Sequence, residues 1–283
     1  MKKPEARKEA AAVAQPFVTA NFAITWDARI STRRGTPSDF SSPRDKRRLV
    51  EIRARCDAVL VSAKTIAIDN MAMGLPDPAL RDARIRRGQA PYPLRVLLTN
   101  SGRISPRLRI FEKDFSPIVI FSTTRMPART RAVLAAKADV WLHEAQNVNL
   151  AAMLATLRRE YRVKRLVCEG GGQVLRSLLA EGLVHEIHVT LCPRIFGGAT
   201  APTLTGAAAE LLPKSAALSL REMKVVDGEC FLRYRVADTA RLTRSRRFPQ
   251  GIAGTERDGA REGGRGGGRV EQRVTATKSS VRE

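Results

Sequence analysis

The first continuous run of apolar positions is residues 17–24, Phe-Val-Thr-Ala-Asn-Phe-Ala-Ile, which suits a central strand partly buried on both faces. A polar loop with Gly35, Pro37 and Ser38 follows. Ser42-Pro43-Arg44-Asp45 then predicts a helix start, with serine as N-cap, proline at the first position and an acid in the first turn. Leu49, Ile52 and Cys56 give that helix a narrow apolar stripe. Residues 58–61 predict a second strand and 62–68 a loop or short helix. Residues 69–91 read as a long polar, Arg-rich loop, of a length that is usually functional or mobile.

Short apolar runs at 95–99, 117–121 and 139–142 predict three more strands, with a helix at 130–137. Residues 149–161 predict a helix carrying Leu150, Met153, Leu154 and Leu157 on one side. Residues 166–168 form a buried-type strand, then come three glycines and a helix on which Val174, Leu175, Leu178 and Leu179 recur, closed by Gly182. Residues 186–192 alternate Ile187, Val189 and Leu191, as an edge or half-buried strand should. Segments 217–226 and 230–236, joined at Asp227-Gly228, predict a hairpin. The sum is an α/β fold, a largely parallel sheet with an antiparallel C-terminal hairpin.

Composition changes this picture at the ends. Residues 1–15 are a charged, Ala-rich lead, expected to be frayed or disordered, and residues 16–236 form the folded domain. Residues 237–283 are rich in Arg and Gly and too poor in apolar residues to offset the entropy of ordering, so disorder is expected there. The net charge of +22 is not a property of the ends. Residues from Ala237 onward carry 11 basic against 6 acidic side chains and residues 1–15 carry 4 against 2, so most of the excess lies in the body. A basic body favours anionic ligands: phosphorylated metabolites, a dinucleotide or nucleic acid. Cys56, Cys168, Cys192 and Cys230 form no C-x-x-C pair, and His143, His185 and His188 have no metal-ligand spacing, so neither a metal site nor a disulfide framework is expected. No run reaches 18 apolar residues and no signal-type h-region opens the chain, which points to a soluble, cytoplasmic protein.

The chemistry is most readable at Glu169-Gly170-Gly171-Gly172-Gln173-Val174-Leu175, between strand and helix. Glycines let a backbone approach a ligand closely, and a helix N-terminus offers free N–H groups with partial positive charge, so this is a place for a phosphate. The alternative is that the glycines only turn a sharp corner. Glu169 would repel a phosphate and is expected to face a hydroxyl, amine or ring N–H of a second ligand. Asp27 reads as a turn residue capping backbone N–H groups.

With these elements placed, the chain resembles the riboflavin-biosynthesis pyrimidine reductases of the dihydrofolate-reductase-like superfamily. The resemblance runs over about residues 16–236. Its pieces are residues 19–27, Arg53 with residues 57–65, Asp69, residues 92–96, 167–171, 183–187 and 193–198. It implies a three-layer sandwich and NADPH-dependent reduction of the ribosyl group of 5-amino-6-(5-phosphoribosylamino)uracil, a small phosphorylated substrate, by a homodimer. On it, Ala23, Phe40, Thr65, Asp69 and Asn100 fall at cofactor positions and residues from Gly170 through Leu175 on the pyrophosphate turn. Ser38, Arg53 and Glu169 fall at substrate positions. Glu169, Asp69 and Asn21 are the polar groups expected near the reacting centre. Arg53 also has chemistry of its own, since a guanidinium binds phosphate bidentately; the alternative is a solvated helix arginine.

The chain departs from the family pattern in three places. Asn21 stands where a lysine is usual, and Ala28 where a glycine is usual. Residues 70–76 replace an Asp-Pro-x-Leu-x-x-Arg segment, so a second substrate arginine is missing unless Arg81 or Arg84 reaches in. The zinc deaminase domain often fused ahead of such reductases is not expected with 15 residues before the first strand. Arg103 and Arg125, each just after a strand, are candidates for the 2′-phosphate that separates NADPH from NADH. Two other readings stay open: a reductase of another pterin-like or carbonyl substrate, and a nucleic-acid-binding protein using the basic body and tail. Against the last, residues 263–269 contain no aromatic for base stacking.

Overall fold

The computed structural model describes residues 14–31, 40–207 and 211–237. The expectations for the lead before residue 14, for Ser38 and for the tail after Ala237 lie outside the described residues. In chain order the elements are β1 (Phe17–Thr25), α1 (Pro43–Arg55), β2 (Ala58–Ser62), α2 (Ala63–Asp69), α3 (Pro78–Arg86), β3 (Leu94–Leu98), β4 (Ile118–Thr123), α4 (Ala128–Ala135), β5 (Asp139–His143), α5 (Leu150–Glu160), β6 (Arg165–Gly170), α6 (Gly172–Ala180), β7 (Glu186–Cys192), β8 (Leu218–Val226) and β9 (Glu229–Val236).

Local signals place most of these. The Ser42 hydroxyl accepts the Asp45 amide at 3.2 Å and Pro43 opens α1. Asn149 caps α5 by accepting the Ala152 amide at 2.9 Å, and the apolar side of that helix is buried at Leu150, Met153, Leu154 and Leu157. Such side chains contribute about 2 kcal/mol each on burial, which is what holds an 11-residue helix that water alone would leave marginal. Asp227 and Gly228 both take positive φ, 52° and 80°, as a two-residue turn twisted like its strands requires.

One nine-stranded sheet runs β5-β4-β3-β2-β6-β1-β7-β9-β8. The first seven are parallel neighbours, and β9 and β8 are added antiparallel. One face packs Val18, Ala20, Phe22, Leu60, Val96 and Val119 against α5 and α6. The other packs Val59, Val61, Leu97, Ile120 and Val167 against α1, α2 and α4. That makes three layers, the expected fold class.

Two expectations need correction. Of the edge and half-buried readings of β7 the edge one falls, because β9 pairs along its outer side from Glu186↔Arg235 to Leu191↔Cys230. The stretch 69–91 is not all loop, because α3 forms within it, capped by Asp77 and opened by Pro78. Its buried residue is not apolar: Arg84 donates from Nε to Ala90 O at 2.8 Å and from Nη1 to Arg53 O, Ala54 O and Cys56 O. A guanidinium thereby satisfies the orphan carbonyls at the end of α1.

Candidate active site

In the sheet order, β6 lies between β2 and β1. The helix after β1 packs on one face and the helix after β6 on the other. Outside the carboxyl ends of strands at such a switch point a crevice opens, and ligands of open α/β sheets bind there. The residues of this crevice come from β1, the β2–α2 corner and the β6–α6 turn.

The turn is built by close packing. A Cβ on Gly170 would meet Thr65 Cγ2 at 2.6 Å, and one on Gly171, whose φ is +83°, would meet Ser62 Oγ at 2.9 Å. A Cβ on Gly172 would stand 2.7 Å from Thr203 O and collide with Gly206 N, both backbone atoms. The three glycines are therefore required by the protein's own packing, against the Ser62–Thr65 corner and the 203–206 turn. What remains for a ligand is the start of α6. The N-cap Gly171 supplies no side-chain bond, and the Gly172 and Gln173 amides have no acceptor among the described residues. Val174 and Leu175 must be removed from the expected ligand contacts, since their side chains are core and their amides both go to Gly171 O, at 2.9 and 3.1 Å.

Glu169 is the extra residue where the β2–β6 register shifts between Leu60↔Cys168 and Val61↔Gly170. Bulges of this sort re-aim a side chain, and this one turns towards α1. Arg53 Nε lies 2.8 and 2.9 Å from the two carboxylate oxygens, and Nη2 lies 2.7 Å from one of them. The Glu169 side chain is 1% accessible and that of Arg53 7%. The remaining Arg53 donors reach Gly74 O at 3.3 Å and Met71 Sδ at 3.5 Å. Burial pulls the guanidinium pKa down, but the Glu169 charge and its hydrogen bonds together more than offset it and the balance is upward. The two side chains expected at substrate positions are thus each other's partner in the structure. Neither substitute arginine is open either. Arg84 caps α1, and Arg81 donates to Leu75 O and Pro76 O at 2.7 and 2.8 Å while lying over Tyr92.

The other expected residues divide. Asn21 stands one step beyond Ala20↔Cys168, where the β1–β6 ladder ends, and opposite His188 of β7. Its side chain is buried and makes no hydrogen bond among the described residues. Ala23 follows on the same face, opposite Thr190. Thr65 touches Gly170 and shares a 2.9 Å hydrogen bond with Ser62, a residue the sequence reading had passed over although it sits at N-cap spacing ahead of Thr65. Asp69 ends α2, and desolvation pushes its carboxyl up. Phe40 packs edge-on to Phe196 at 5.1 Å. Asn100 spends its amide on Asn147 Oδ1 and Val148 N, at 2.7 and 3.0 Å, and so ties loops together. Arg125 is engaged by Thr123 and by Gln146 O, whereas the guanidinium of exposed Arg103 has no partner among the described residues.

The rim is held by Asp27. It accepts Thr25 Oγ1 at 2.6 Å and the Phe196 and Gly197 amides at 3.2 and 2.8 Å, the capping role expected of it. Chiefly the Thr25 hydroxyl holds its carboxyl down to about 2. Trp26 beside it is 70% exposed and Ile195 72%. Among the described residues no group of three or more His, Cys, Asp or Glu could hold a metal, and no helix is long and apolar enough to cross a membrane.

The model of the RibD C-terminal domain family matches residues 16–230. A 2,5-diamino-6-ribosylamino-4(3H)-pyrimidinone 5′-phosphate reductase of Methanothermobacter thermautotrophicus is 34% identical over 190 residues, 67% of this chain and 83% of that protein. A protein of the same name from Archaeoglobus fulgidus is 29% identical over 243 residues, 86% of this chain and 98% of that one. A solved pyrimidine reductase-like protein of Corynebacterium diphtheriae has the same fold, with a TM-score of 0.70 at 21% identity over 78% of this chain and 92% of its own.

Proposed function

The chain belongs to the RibD C-terminal domain family, and from that membership we propose that it is an NADPH-dependent reductase of a pyrimidine ribosylamine 5′-phosphate in riboflavin biosynthesis. The observation that carries the reading is the first turn of α6. Two amides without an acceptor among the described residues, at the positive end of a nine-residue helix and in the crevice at the switch point, fit a pyrophosphate.

NADPH, when bound, supplies the two electrons and hydrogen of the reduction. The Gly172 and Gln173 amides would hold its pyrophosphate and Arg103 its 2′-phosphate. Thr65 sets the spacing between α2 and the turn, and the small side chain of Ala23 leaves room beside Asn21. The Asn21 amide donates to a sugar oxygen as charge develops there, with less force than a lysine would. Asp69 gives or takes a proton at the rim. Glu169 and Arg53 act together, as a locked wall that keeps β6 and the 71–74 segment in place and sets the substrate side. A homodimer in the cytoplasm completes the reading.

The substrate is 5-amino-6-(5-phosphoribosylamino)uracil, as the resemblance implies, or the diaminopyrimidinone named for the two relatives, which carries an amine in place of the carbonyl oxygen on ring position 2. The test is growth of a riboflavin auxotroph lacking only the reductase step, with NADPH consumption by the purified protein on each pyrimidine. Growth with consumption of NADPH ahead of NADH supports the reading. Failure of growth together with no consumption on either pyrimidine overturns it.

A further inference from the structure

Helix α1 packs over β6. Beyond it the same face continues over β7, β9 and β8, and a groove of about 900 Å³ lies between the helix and the hairpin. Its walls are cationic. Arg44, Arg47 and Arg55 come from α1 and its end, Lys224 and Arg235 from the hairpin, and Arg165 from the start of β6; all six are exposed. None of the six has an ion pair among the described residues. The acids of the groove do not neutralise them. Glu186 and Glu222 share Arg233, at 3.6 and 3.1 Å, and Glu51 is the third acid, so three carboxylates face eight cationic side chains in the lining. Low-dielectric walls lined by one sign of charge concentrate field and raise the local level of the opposite ion.

The groove is also rigid and closed to stacking. Arg48 spans its floor, donating to Val189 O at 3.3 Å, Thr190 Oγ1 at 3.1 Å and Leu232 O at 3.0 Å, and so fastens α1 to β7 and β9. Glu229 fastens the other end, accepting the Ser42 amide at 2.8 Å and hydroxyl at 2.5 Å. The two aromatic rings of the floor are already covered by guanidinium groups. Arg165 and Arg235 lie 4.9 and 4.7 Å from the Phe17 ring centre, and Arg48 lies 5.3 Å from that of Phe231. A nucleobase finds no free ring here, whereas phosphate oxygens find donors on three sides. The volume lies within the range of small-ligand pockets, about 300–1,000 Å³.

We infer that the groove between α1 and the β8–β9 hairpin is a second ligand site, for a compact molecule carrying two or more phosphates. It shares no residue with the glycine turn or with Asn21 and Glu169. It is therefore separate from the cofactor site proposed above and stands whether or not that proposal does.

Titration calorimetry of the full chain with inorganic tripolyphosphate tests it, run alone and with saturating NADPH. The variant is Arg44→Gln/Arg47→Gln/Lys224→Gln, with Arg55→Gln/Arg235→Gln as a second set should the first lower the melting temperature. The expected result is one site per chain, unchanged by NADPH and weakened about tenfold or more by either set, since each lost charge-assisted bond to phosphate is worth about that factor. Absence of binding, competition by NADPH, or binding by both variant sets as tight as the parent's overturns the inference. So does tight binding of a single-stranded oligonucleotide that tripolyphosphate fails to displace, which would make the groove a nucleic-acid surface.

Discussion

Replacing Glu169 by Gln removes one charge from a pair that is almost sealed from water, and its first effect should be on the fold. Arg53 is left with a full positive charge, one amide oxygen in place of a carboxylate, and two weaker contacts at 3.3 and 3.5 Å to Gly74 O and Met71 Sδ. Breaking a buried pair by removing one partner costs about 3–5 kcal/mol; because the Gln oxygen keeps one hydrogen bond, about 3 kcal/mol is expected. For a domain of this size that is a fall in Tm of roughly 6–12 °C. The double change Arg53→Met/Glu169→Leu removes both charges and should lose less than the single one, since replacing a buried pair by apolar side chains is often neutral. Thermal unfolding followed by circular dichroism decides it. A Tm within about 1 °C of the parent for Glu169→Gln, or a double variant no more stable than the single, would refute the wall assigned to this pair. In that case loss of turnover in Glu169→Gln would point back to direct substrate contact.

Other changes follow from single positions. Ala28 holds φ at +60° in an exposed turn, so Ala28→Gly should raise stability by about 1 kcal/mol, read as a higher Tm. Gly172→Ala drives a methyl into the backbone of the 203–206 turn, while Gly182→Ala meets nothing within 4 Å and pays only for its φ of +67°; the first should melt well below the second. Asp27→Ala should speed hydrogen exchange at the Phe196 and Gly197 amides and leave the middle of β7 protected, and equal exchange at those two amides would show the clamp to be idle. Because the Asp27 carboxyl is held below its ordinary value, its contribution is complete above about pH 4 and is lost as the pH falls towards about 2, so the same amides in the parent protein should loosen only in that window.

Much of the fold was legible because local signals agreed with burial. The stripe on α5, the Ser42-Pro43 start of α1 and the Asp227-Gly228 turn each name their structure without help from elsewhere in the chain. Helix α3 was not legible, since its buried residue is Arg84 and no apolar period marks it; only Asp77-Pro78 signals its start. At the candidate site the strand–turn–helix was readable, but the reason for its glycines was not. They make room for Thr65, Ser62 and the 203–206 turn, which are remote in sequence. The Arg53–Glu169 pair was hidden in the same way: each residue reads as a ligand contact until the other, 116 positions away, is set beside it. Arg95, buried in mid-strand, likewise looks misplaced until Ile110 O, Ser116 O and the Phe115 ring are seen to receive it.

The place of β1 in the sheet bears on how the chain is made. This strand emerges first, yet its neighbours are β6 and β7, pairing Phe17 with Arg165 and Thr19 with Glu186. At roughly 5–20 residues per second, on the order of ten seconds pass on the ribosome before β6 follows it out. During that interval Val18, Ala20 and Phe22 have neither strand on which to close and present an open template for pairing with other chains. Nascent chains halted before β7 should therefore aggregate or be held by chaperones, and release into the native sheet should wait until Cys192 has cleared the exit tunnel.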